Sequence, residues 1–144
     1  TPRTARAASK HALSDSDQMD LDKAWHTLHF LFTGSAWEGD FPHGFLVSCG
    51  KPVGDVDVGY GPARGFLSGE VLKIAEYMTT LDTNILRSSL DPKKLVEAEI
   101  YPNFGSDAAI SDEDWDYISG AFEQTREFVT ETARRRMALL EYIN

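Results

Sequence analysis

Four side chains near the start of the chain, Asp22, His26, His29 and Thr33, follow one another at three- and four-residue intervals, so on a helix they form one connected polar stripe. At that spacing the Asp22 carboxylate would orient His26 and leave His29 to meet a ligand. Histidine titrates near neutrality and serves as general base, metal ligand or hydrogen-bond donor to an anion. Histidines that only bond backbone or water at the border of an amphipathic helix show the same spacing. The pair lacks the embedded glutamate of the HExxH zinc pattern, and no further histidine or cysteine cluster supplies a third ligand, so neither a metal nor a cofactor is expected.

A second constellation is the run Gly59-Tyr60-Gly61-Pro62-Ala63-Arg64, read as the place where a strand gives way to a helix. Its glycines permit close backbone approach, Pro62 stiffens the turn, Tyr60 offers a stacking ring, and Arg64 is a planar donor suited to carboxylate or phosphate. As plain structure it is a tight turn whose tyrosine packs and whose arginine neutralises a neighbouring acid. It is neither a P-loop nor a dinucleotide fingerprint, which leaves nucleotide hydrolysis and Rossmann-type binding without support. The third constellation, Glu97 to Pro102, places Glu97, Glu99 and Tyr101 on one side if extended, and paired acids suit acid/base work when burial separates their pKa values. A solvated edge has the same composition. Cys49, the single cysteine, forms no internal disulfide and reads as a buried strand residue, which suits a reducing cytoplasm.

The elements that must position these residues follow from periodicity. Leu21, Ala24, Trp25, Leu28, Leu31 and Phe32 give one apolar face to a helix over 20–33, with Asp20 and Asp22 at its positive end. Phe45 to Cys49 and Val53 to Tyr60 alone have strand character and predict a hairpin through Gly50-Lys51-Pro52. Ser68 caps a helix running to about Thr80, and Asp91-Pro92 starts a short one over 92–98. Ser111, with Asp114 three residues on, opens a long helix whose spacing continues through Met137, almost to the end of the chain. Helices around one small, mostly antiparallel sheet predict an α+β fold.

The 144 residues, 42% hydrophobic and 26% charged, fit one soluble domain. Residues 1–18 read as a flexible basic tail, with Arg3, Arg6 and Lys10, before a domain over 19–144. The chain begins at Thr1 rather than Met, so an upstream piece is expected to be missing. A net charge of −9, with 23 acids against 14 bases, repels phosphate backbones and anionic lipid, which argues against nucleic acid and membrane as partners.

Three blocks carry a resemblance: Leu21 to Gly34 (LDKAWHTLHFLFTG), Gly59 to Arg64 with Leu67-Ser68 and Glu70-Val71, and Glu99 to Pro102. In order and spacing, over about residues 19 to 143, the chain resembles the YfbM-like bacterial family, a domain of unknown function. The resemblance implies an α+β fold, a small soluble bacterial protein and no established activity. Members usually carry a strand and a helix ahead of the first block, where this chain has about 20 basic residues.

The expected function is a binding module, in which Asp22, His26, His29, Tyr60, Arg64, Glu99 and Tyr101 surround a pocket for a small anion or polar group. An enzyme is the alternative: the order His29, Tyr60, Glu99 is similar to that of ADP-ribosyltransferases, which hold a nicotinamide dinucleotide. A third reading is a protein–protein interaction domain with an acidic surface.

Overall fold

The structure, a computed structural model, describes residues 5–8 (backbone only), 17–105 and 109–144. Among the described residues the element order is β1 (Ala5–Ala8), β2 (Gln18–Met19), α1 (Trp25–Thr33), β3 (Lys51–Val53), β4 (Ala63–Phe66), α2 (Ser68–Thr79), α3 (Thr83–Ser89), α4 (Pro92–Glu97), α5 (Asp112–Arg134) and β5 (Ala138–Glu141). The strands form one antiparallel sheet in the order β2-β1-β5-β4-β3, with the helices packed around it, so the α+β expectation holds. No described helix is long and apolar enough to cross a membrane.

Helix starts follow local chemistry. Asp91 Oδ1 accepts the Lys93 N–H at 3.0 Å and Ser111 Oγ accepts the Asp114 N–H at 3.1 Å, so α4 and α5 open where their caps predict. Ser68 is the first residue of α2 rather than its cap; the Glu70 carboxylate reaches back to the Leu67 N–H at 3.0 Å and sets the boundary there. Helix α3, which no apolar periodicity announces, is opened by Asp82, whose Oδ1 accepts the Asn84 N–H at 2.8 Å.

Five expectations are corrected. Helix α1 begins at Trp25 and not at 20, because Asp22 takes a left-handed φ of 53° and its N–H bonds Asp20 Oδ1 at 2.8 Å, closing a turn instead of a helix. The segment 45–49 is a tight turn and not a strand: the Gly44 carbonyl accepts the Val47, Ser48 and Cys49 N–H groups at 3.2, 2.9 and 3.1 Å, which curls the chain and buries both Phe45 and Leu46. The hairpin is β3–β4, with Pro52 opposite Arg64, and 54–62 is its connection. Helix α5 stops at Arg134, and after Arg136 at φ 54° the chain turns into β5. Residues 5–8, expected within a tail, form β1, which pairs with both β2 and β5; the remainder of 1–16 lies outside the described residues.

Strand β5 decides what faces the core. Its period of two turns Leu139 and Glu141 inward, opposite Phe66 and Arg64 of β4. Leu139 and Phe66 join Trp25, Leu28, Phe32, Val71, Ile74, Ile118 and Phe122 in one apolar cluster, while α5 lies along α2. A smaller cluster of Leu90, Leu95 and Ile100 sits under α4.

Candidate functional site

Helix α1 presents both histidines to the protein interior. His26 is tied at both ring nitrogens: its Nε2–H donates to the Ala36 carbonyl at 2.9 Å, and its Nδ1 accepts the Tyr101 N–H at 3.0 Å. Those partners set a neutral tautomer. His29 Nε2–H donates to the Glu38 carbonyl at 3.0 Å, while its Nδ1 is buried without a protein partner. Burial holds His26 below its ordinary value and takes His29 down to about 4. Both rings are therefore neutral near pH 7, and they pin loop 34–40 and the segment before Pro102 to the helix.

The role expected of Asp22 is corrected by the turn it occupies. Its Oδ2 accepts the Tyr117 hydroxyl at 2.8 Å, and the same hydroxyl oxygen accepts the Lys23 N–H at 3.0 Å. Asp22 therefore ties the approach to α1 onto α5, and His26 is oriented by backbone groups instead. Glu99 and Tyr101 do not lie on one extended edge. Glu97 ends α4, Glu99 is exposed at a left-handed φ of 56°, and the chain folds back so that the Tyr101 N–H meets His26.

Arg64 is likewise not a free anion hook. It lies in β4, and its guanidinium points into the molecule, donating from Nη1 to the Cys49 carbonyl at 2.6 Å and from Nη2 to the Leu46 carbonyl at 2.8 Å. Nη2 also stands 3.0 Å from Glu141 Oε1, outside hydrogen-bond alignment, so both carboxylate oxygens are buried without a hydrogen-bond partner. Burial pushes Glu141 up to about 8, and Arg64 offsets only part of that. Arg64 braces the 44–49 turn against the sheet, and its charge bears on His29 as well. Cys49 is half-buried at the end of that turn, its thiol 3.5 Å from the Gly39 carbonyl and pushed up by burial.

The imidazole-bearing and glycine-rich stretches do meet, through aromatic rings. Trp37 lies 4.5 Å from His26 and 5.9 Å from Tyr60 between ring centroids, the latter pair at an interplanar angle of 25°. Beneath them Trp25 lies 4.9 Å from His26, 5.6 Å from Tyr60 and 6.0 Å from Trp37. Trp25 is buried and its indole N–H has no protein acceptor, whereas Trp37 and Tyr60 are 49% and 60% exposed. Tyr60 is held by its N–H to the Ile143 carbonyl at 3.1 Å and by Asp57 Oδ1, which accepts the Gly59 and Gly61 N–H groups on either side at 2.8 and 3.1 Å. A side chain at Gly59 would strike Asn144 Cα at 2.5 Å, so this approach to the chain after β5 needs glycine.

Of the seven expected site residues, Asp22, Tyr60, Glu99 and Tyr101 are exposed, Asp22 with its Oδ2 bonded to Tyr117, whereas His26 and His29 are buried and Arg64 is turned inward. Trp37 and Glu141 went unremarked in the sequence. The signal for Trp37 was a large aromatic in a glycine- and proline-bearing loop. Among the described residues no three His, Cys, Asp or Glu side chains are grouped to hold a metal ion.

The comparisons agree with the resemblance drawn from the three sequence blocks. No curated protein matches the chain. The fold is similar to that in a crystal structure of YfbM, a protein of unknown function from Escherichia coli, with a TM-score of 0.64 at 22% identity over 88% of this chain and 80% of that chain. Residues 4–142 match the family described as Domain of unknown function (DUF1877), a span that takes in β1 as well as the three blocks. With almost its whole length inside that match and its strands and helices arranged as in YfbM, the chain belongs to the DUF1877 family.

Proposed function

We propose that this protein is a binding module whose ligand-contacting surface is the Trp37–Tyr60 pair. The observation that carries the reading is the half-exposure of two stacked rings that the fold takes care to fix, Trp37 against His26 and Tyr60 by Asp57 and Ile143. Exposed aromatics held rigid give contact area at little entropic cost. The histidines act as buried struts, and the inward turn of Arg64 argues for a polar ligand other than a small anion. His29, sealed from solvent, cannot polarise a substrate, which weakens the ADP-ribosyltransferase-like reading with Tyr60 and Glu99. One free thiol fits the expected cytoplasmic setting, and the acidic surface fits partners other than nucleic acid.

A second reading, docking of a partner protein, is favoured by Val56 and Val58, exposed on the same connection as Tyr60. The test is a thermal-shift and tryptophan-fluorescence screen of small polar compounds, NAD among them, against wild type, Trp37→Ala and Tyr60→Ala. Ligands that raise the melting point should lose at least tenfold in affinity in both variants, whose own melting points stay near wild type. Shifts that survive intact in both, or NAD consumption abolished by Glu99→Gln, would overturn the reading.

A further inference from the structure

The two loops that carry the aromatic pair are one-sided in charge. Residues 34–44 bring Glu38 and Asp40, residues 54–62 bring Asp55 and Asp57, all four are exposed, and neither loop holds a lysine or an arginine. Glu38 adjoins Trp37 in the chain, and the Asp57 carboxylate is fixed beside Tyr60 by its bonds to Gly59 and Gly61, both of which it accepts through Oδ1. The nearest guanidinium in sequence, that of Arg64, is committed inward to Leu46, Cys49 and Glu141. Aromatic faces carry negative potential that attracts cations, and the attraction adds to that of neighbouring carboxylates.

Resting on the proposed reading of the Trp37–Tyr60 pair as the contact surface, we infer that its ligand is a small organic cation: an alkylammonium or guanidinium head group laid on the rings, with the acidic rim neutralising its charge. Two half-exposed rings offer the contact area of one such head group.

The experiment uses three probes of one shape and different charge: choline, the neutral 3,3-dimethyl-1-butanol and the anionic 3,3-dimethylbutyrate, each titrated against the whole chain by tryptophan fluorescence and by chemical-shift perturbation of the indole N–H signals. Choline should bind at least fivefold more tightly than the alcohol, the butyrate should not bind, and added salt should weaken choline alone. Asp57→Asn, which keeps the oxygen that caps the loop, should bring choline down toward the alcohol. Equal binding of choline and the alcohol overturns the inference while leaving the aromatic surface standing. No response of Trp37 to any of the three removes that surface and the inference with it. A blocked lysine peptide that binds tenfold more tightly than choline overturns the small-molecule assignment in favour of a partner protein's basic side chain.

Discussion

Glu141 sits on the core-facing side of the central strand, beside Arg64 yet without a hydrogen bond to either oxygen. Burial moves its carboxyl from 4.5 up to about 8, so across that interval the folded chain holds a proton that the unfolded chain has released. Stability then falls as pH rises, by up to about 1.4 kcal/mol per pH unit. His29 works in the opposite sense: lowered from 6.5 to about 4, it leaves the unfolded chain with the extra proton between those values, and stability climbs with pH there. The two effects oppose each other between 4.5 and 6.5 and leave Glu141 alone above that range. Urea-unfolding free energies should therefore decline between about pH 6.5 and 8 in wild type and stay level in Glu141→Gln, a neutral residue of the same shape. Equal slopes in the two proteins would remove Glu141 from this account. Glu141 and the burial of His29 were hidden in the sequence for one reason. A titratable residue on an amphipathic pattern is read as outward-facing, and only the register of Arg64 opposite Glu141 turns it inward.

Helices that join a local cap to a recognisable start motif were readable, whereas α3 and the 44–49 turn, also closed by local bonds, and the elements held by distant partners were not. Asp91 and Ser111 bond N–H groups within three residues, so α4 and α5 begin where the sequence places them. Helix α1 follows its apolar spacing from Trp25 onward but loses its first turn to the left-handed Asp22, whose partner Tyr117 lies 95 residues away. Strands β3 and β4 are three and four residues long, and the pair joins the sheet only where β4 meets β5, so no local alternation reveals them. The 44–49 turn mimics a strand in composition, and glycine gives it away in the structure. A Cβ at Gly44 would meet Ser48 Oγ at 2.2 Å and the Gly39 carbonyl oxygen at 2.7 Å. Gly44→Ala should destabilise the protein by about 2 kcal/mol, because the second of those atoms is backbone and cannot swing aside. A urea midpoint within error of wild type would show that the turn opens freely. Since Leu46 and Cys49 in this turn supply the carbonyls that hold Arg64, a loosened turn should also expose the thiol, read as faster labelling of Cys49.

At the scale of the molecule, function was the least legible level. The glycine-rich block and the histidine helix do approach each other, as their chemistry suggested, but the large rings that meet solvent there are Trp37 and Tyr60, while His26, His29 and Arg64 are bonded to backbone carbonyls inside the fold. What brings them together is the sheet, in which β5 lies between β1 and β4. Deleting residues 137–144 should abolish cooperative unfolding and near-ultraviolet circular dichroism; a truncated chain that still melts in one sharp transition would show that the helices alone specify the fold. The strand order has a kinetic consequence. The β1–β2 and β3–β4 pairs share no hydrogen bond with each other, so each can form early but neither can find its place until a strand from the far end of the chain slides between them. Closing so large a loop is slow compared with zipping a helix, and refolding should show helical signal arriving well before the indole of Trp25 becomes rigid.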